Sequence, residues 1–177
     1  STLGTDGKGS TIAFNWLHDN IGTYTVGVYL DCFNQNYNIH NNVIWNISWA
    51  GIQLNSYSRN NNVYNNTIID CQNSFMIYAY PGDPNDQKGS RIFNNFYNTN
   101  PTFAGGSLAP WLSNNIHAST SGRLDSRFFP VQNSPLIDSG VLVSGFDIAY
   151  AGLAPDVGAY QYGMTRWIPG STLKPLP

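Results

Sequence analysis

The chain has 177 residues, a net charge near −2 and only 10% charged side chains, with no Glu at all and 14% aromatic residues. Without a Lys/Arg run it has nothing to neutralise a phosphate backbone, so nucleic acid is excluded as a partner. No run approaches the roughly 18 apolar residues of a membrane span, and the aromatic and β-branched content is too high for disorder.

The scarcity of helix formers and the abundance of Asn, Gly and Tyr predict an all-β chain rich in turns. Two cysteines, Cys32 and Cys71, are too few for a disulfide framework and are read as unpaired. The opening STLGTDGKGST (1–11) runs directly into repeat-like sequence, so an upstream or partner β-helix segment is expected there. Its Gly-rich TDGKG (5–9) lacks phosphate-loop spacing.

A first weak repeat copy, TIAFNWLHDN (11–20), precedes two strong ones. Residues 27–50 align with 51–74 at a spacing of 24, so that Gly27 meets Gly51, Leu30 meets Leu54, Asn38 meets Asn62 and Ile44 meets Ile68. RIFNNFYN (91–98) and WLSNNIHA (111–118) continue the pattern more weakly. A period in the twenties means stacked units, none able to bury its apolar face alone. Within each unit, short runs alternate apolar and polar, as in Val28-Tyr29-Leu30-Asp31 and Ile52-Gln53-Leu54-Asn55. That is the pattern of half-buried strands.

Three such strands fit one winding. The expected fold is therefore a right-handed, single-stranded parallel β-helix of about five to six coils over residues 1–118. Residues 119–177 read as a last irregular coil plus a C-terminal capping tail of the same domain, because solenoids must cover their open edges. Asn tolerates a left-handed bend and can bond its counterpart in the next coil. Asn15, Asn41, Asn65, Asn94 and Asn114 are assigned to such an internal ladder. The sequon Asn65-Asn66-Thr67 is then inaccessible, which leaves Asn46-Ile47-Ser48.

The motifs GSTIAFNWLHDN, GVYLDCFNQNYNIHNNVIWN, GIQLNSYSRNNNVYNNTI and NSPLIDSG…PDVGAYQYG resemble the carboxy-terminal part of secreted bacterial β-helix proteins of the pectin-lyase-like superfamily. The resemblance covers nearly the whole chain and speaks to fold more than to activity. It implies a secreted or periplasmic carbohydrate-active protein, with its site in a groove on the outer face of one sheet.

The residues supply matching chemistry. One sheet is built from 27–31, 51–55 and about 75–79, with Tyr29, Asp31, Gln53, Asn55 and Tyr78 or Met76 outward. His18, Asp19, Trp45 and Trp49 stand in the turns before it, and Arg59 and Asp83 in the turns after it. Aromatic rings with amides and a carboxylate suit sugar rings. Asp31 is the first catalytic candidate, with Asp19 or Asp6 as its partner carboxyl and His18 as a candidate base. Tyr29, Trp45, Trp49, Gln53, Asn55, Arg59 and Tyr78 are the expected substrate-binding residues. His40 and His117 receive no role.

No Cys/His set suggests a metal. Asp83, Asn85 and Asp86 admit calcium as an alternative, although a plain turn explains them more simply. The reading is a polysaccharide-degrading glycoside hydrolase acting on a polysaccharide or oligosaccharide. Its rivals are a polysaccharide lyase using His18 or Lys8 with Arg59, and a non-catalytic binding module.

Overall fold

The computed structural model describes residues 5–105 and 110–170. Every strand pair is parallel, and three sheets wrap one core. The first sheet stacks β2 (Thr11–Ala13), β6 (Asn38–His40), β9 (Asn62–Tyr64), β12 (Arg91–Phe93) and β15 (Trp111–Ser113). The second stacks β3 (Trp16–Asn20), β7 (Val43–Ile47), β10 (Thr67–Ile69), β13 (Phe96–Tyr97) and β16 (Ile116–His117). The third stacks β4 (Val26–Leu30), β8 (Ala50–Leu54), β11 (Asn73–Ala79) and β14 (Thr102–Gly105). A short pair, β1 (Thr5–Asp6) on β5 (Asn34–Gln35), extends the first bend. This is a parallel β-helix, and no helix occurs among the described residues. Its five levels span about four windings, fewer than the five to six coils expected.

The 24-residue spacing is the register itself: Asn38 pairs with Asn62, Val43 with Thr67 and Val28 with Ile52. Alternation then sends Ile39 and Val63 inward from the first sheet, Ile44 and Ile68 from the second, and Leu30, Leu54 and Ile77 from the third. Each such buried side chain contributes about 1.5–3 kcal/mol. Gly27 and Gly51 repeat because the chain passes too close to its neighbours for a side chain. A Cβ on Gly51 would lie 2.4 Å from Ile68 Cγ2 and 2.9 Å from the Ser74 carbonyl. Gly51→Ala is therefore expected to cost about 2 kcal/mol by overpacking, read as a lower urea midpoint. An unchanged midpoint would contradict the close approach.

The internal asparagine ladder exists, one residue away from most of its expected members. Asn15 donates to Asn42 Oδ1 at 3.0 Å, Asn42 to Asn66 at 3.0 Å, Asn66 to Asn95 at 2.9 Å and Asn95 to Asn115 at 2.9 Å. Each Oδ1 also accepts the backbone N–H of the asparagine one level away, as Asn66 Oδ1 does from Asn42 at 3.0 Å. Asn41, Asn65, Asn94 and Asn114 instead hold the left-handed bend, with φ of 47–53°. The left-handed residue turns its side chain outward, and the chain points inward only at the next position. Asn15 keeps its assignment because its partner is Asn42, 27 residues on.

The outward asparagines form a second column that reads the tail. Asn41 donates to the Ala159 carbonyl, Asn65 to Asp156, Asn94 to Val141 and Asn114 to Ser139. The sequence places this tail over the end of the stack, whereas these contacts run along its flank. Leu136 and Val157 bury Ile69 and Phe96 of the second sheet, while Ala159 and Tyr160 cover Val43. Asp156 is buried, which pushes its carboxyl up, and it accepts the N–H groups of Asp138 and Tyr162. Asn65 lies buried beneath the tail, so its sequon is closed, while Asn46 is exposed. Cys32 and Cys71 are unpaired.

Candidate functional site

The third sheet presents two outward rows across its strands. Tyr29, Gln53 and Met76 pair in the first. Asp31, Asn55 and Tyr78 follow one level of alternation later, beyond the paired Leu30, Leu54 and Ile77. Met76 is nearly buried and Tyr78 is exposed, so Tyr78 is the third-level member of the open surface.

Asp31 is the centre of this face. Its Oδ1 accepts the Tyr29 hydroxyl at 2.8 Å, the Asn55 amide at 2.9 Å and the Cys32 N–H at 2.8 Å. Asn55 also donates to the Tyr29 oxygen at 2.8 Å, closing a triangle. These donors, the Tyr29 hydroxyl foremost, lower the Asp31 pKa to about 2. Burial, then the adjacent carboxylate, pushes the Tyr29 hydroxyl up. Asp31 Oδ2 has no partner among the described residues. The site is thus a fixed, ionised carboxylate with one oxygen available.

Aromatic rings bound the face on both edges. Tyr24 and Trp49 meet edge to face at 5.0 Å where the strands begin. Where they end, Phe33 lies flat on Tyr57 at 4.6 Å, and Tyr57 leans on Tyr80 at 5.0 Å. Phe33 and Tyr57 have φ of 63° and 58°, a conformation that bulky residues adopt at a cost of about 1–2 kcal/mol. Asp86 holds this bend from inside. Fully buried, its oxygens accept the N–H groups of Tyr57 at 2.7 Å, Ser58 at 2.9 Å and Tyr80 at 2.7 Å.

The proposed acid–base set is not brought together. Asp19 is a bend residue of the second sheet, with φ of 55° like Asn46 above it, and it bonds Asn46 and His18. The five-residue strand β4, about 16 Å long, separates its turn from Asp31. Paired carboxyls of glycosidases lie at most about 9.5 Å apart. Asp6 lies in the short β1–β5 pair, where it pairs with Gln35 and bonds Asn36 and the Lys8 N–H. Trp45 is a mid-strand residue of β7 and not a turn of the groove; His18 stacks on it at 4.1 Å. Arg59 is committed to Asp83 at 2.7 Å. Of the expected residues, Tyr29, Asp31, Gln53, Asn55, Tyr78 and Trp49 thus share one face, while His18, Asp19 and Trp45 share another.

The calcium candidates have hydrogen-bond partners within the protein. Asp83 bonds Arg59 and the Asn85 N–H, and Asp86 is filled by three amides. No group of three His, Cys, Asp or Glu side chains suited to a metal occurs among the described residues. Sequence reasoning missed the Asp86 anchor, whose acidic neighbours look like a loop of ligands. It also missed the tail residues that wall a cleft over Trp16 and Trp45.

Among solved structures, the chain is similar to the crystal structure of pectate lyase Pel9A, with a TM-score of 0.47 and 17% identity. The match covers 85% of this chain and 45% of that one, so the chain spans less than half of that protein's length. No family model matches the chain, and no curated protein matches it.

Proposed function

We propose that this chain binds a polysaccharide along the outer face of the β4-β8-β11 sheet, as the β-helix of a secreted or periplasmic carbohydrate-active protein. The observation that carries the reading is Asp31: an exposed carboxylate locked by Tyr29 and Asn55, with Oδ2 unpartnered among the described residues. A preorganised acceptor takes sugar hydroxyls without an ordering cost, and the neighbouring aromatic rings offer apolar surface to C–H faces. Gln53 and Tyr78 extend the polar strip along the stack.

Glycoside hydrolysis is the second reading, favoured by the ionised state of Asp31. A carboxyl with its pKa near 2 suits a base or nucleophile, never the acid. Asp19, one of its expected partner carboxyls, stands beyond the length of β4. Elimination would fall to His18, which lies in the second sheet stacked on Trp45, or to Lys8, with Arg59, which is bound to Asp83.

The test is a screen of neutral and acidic plant and algal polysaccharides against the chain and Asp31→Asn, measuring affinity and turnover. Binding weakened about tenfold by Asp31→Asn supports the reading. Lost turnover with retained affinity selects hydrolysis, and no binding to any polysaccharide contradicts both. Affinity is also expected to hold from about pH 8 to about pH 4, because, whereas a free Asp takes its proton at about 3.9, the folded Asp31 stays ionised down to its pKa of about 2. Its bonds therefore favour the native groove above that window and are lost as pH falls through it. Affinity that halves near neutral pH would point to another group.

A further inference from the structure

A cleft of about 540 Å³ opens between the second sheet and the tail, away from the Asp31 face. Trp16 and Trp45 form its floor from adjacent strands, meeting edge to face at 5.7 Å. Phe128 closes one side, tilted 40° to Trp45 at 4.9 Å, and Trp167 stands on the tail segment opposite. The geometry is fixed from behind: Trp16 Nε1 donates to the Tyr160 hydroxyl at 2.8 Å, and His18 lies flat on Trp45 at 4.1 Å.

Two guanidinium groups stand at the mouth. Arg166 is occupied, bonded to Asp125 at 3.1 Å and seated over the Phe129 ring at 3.2 Å. Asp125 is engaged in turn, accepting the N–H groups of Arg127 and Phe129 as well. Arg127 therefore lines the cleft exposed, and its guanidinium has no hydrogen bond or ion pair among the described residues. The cleft thus combines differently tilted aromatic faces with one uncompensated positive charge. That combination matches a ring with an apolar face and an anionic substituent.

We infer that this cleft is a second saccharide site, which takes a sugar ring bearing a carboxylate or a sulfate. The apolar ring face rests on Trp16 and Trp45, and the anion pairs with Arg127. The identification as a sugar rests on the polysaccharide reading above. The cleft and the Asp31 groove lie on different sheets.

Three of the five tryptophans, Trp16, Trp45 and Trp167, line this cleft, so intrinsic fluorescence reports its occupancy. The experiment titrates oligogalacturonides, sulfated galactan oligosaccharides and neutral cello-oligosaccharides into the intact chain, Arg127→Gln and Asp31→Asn. Arg127 is exposed, so Arg127→Gln is expected to keep the wild-type thermal midpoint. The expected result is a fluorescence change with one or both anionic series and none with the neutral one. Which anionic series responds distinguishes carboxylate from sulfate. Arg127→Gln should weaken that response about tenfold or more, and Asp31→Asn should leave it unchanged. Neutral and anionic sugars bound alike, or anionic binding insensitive to Arg127→Gln, would overturn the inference. Binding lost only in Asp31→Asn would leave the groove standing and remove the cleft. No response to any series, with the groove still binding by calorimetry, would remove the cleft alone.

Discussion

Asn66→Ala is expected to lower stability by about 4 kcal/mol. Asn66 Nδ2 donates to the carbonyls of Ile39 and Tyr64 and to Asn95 Oδ1, at 2.9–3.1 Å. Its Oδ1 accepts two bonds from Asn42. All of these groups are buried, so alanine strands several donors and acceptors at about 1–3 kcal/mol each, partly relieved by relaxation. Asn41→Gly is the matched control. It keeps the left-handed bend, which glycine adopts freely, and loses the side-chain bonds to Ala159 and His40, at a cost of about 1 kcal/mol. Urea unfolding of both variants checks the pair. Equal losses, or a larger loss for Asn41→Gly, would contradict the assignment of inward and outward columns.

Asp86→Ala is expected to cost about 3 kcal/mol and also to weaken polysaccharide binding. The carboxylate satisfies three N–H groups, that of Ser58 buried and those of Tyr57 and Tyr80 part-buried, drawn from two successive levels. Bonds to a charged acceptor are each worth about 1.5–3 kcal/mol, and water entering the emptied space recovers part of that. Tyr57 and Tyr80 are two of the three residues held, so their stacked edge beside Asp31 loses its anchor. The measurement pairs an unfolding midpoint with an affinity at a temperature where the variant is folded. A loss of stability with unchanged affinity would show that the aromatic edge takes no part in binding.

The stack was legible because two adjacent windings preserve Gly27/Gly51, Leu30/Leu54 and Asn38/Asn62 at one spacing. The inward column was placed wrongly because both members of each Asn-Asn pair repeat with the same period. Periodicity cannot tell them apart; backbone handedness can. One signal was present: the first copy reads Phe14-Asn15, so the bend tolerates a different residue while the inward amide persists. Asp19 and Asp31 looked close because a turn joins their segments, but an extended strand lies between them. Trp45 was read as a turn residue before the third sheet, but it lies inside a strand of the second sheet. The tail was illegible for a different reason. Its residues make non-repeating contacts across more than 90 positions, such as Asn41 with Ala159 and Trp16 with Tyr160, and no local pattern encodes them.

The claim that most of this account serves is that the Asp31 face is where sugar binds. Backbone amide NMR of the ¹⁵N-labelled chain, titrated with fragments of whichever polysaccharide binds in the screen, tests it most directly. The account predicts progressive shifts at Tyr29, Asp31, Gln53, Asn55 and Tyr78, with the inward residues Ile52 and Leu54 moving least. Saturable binding that leaves those five amides still would contradict it.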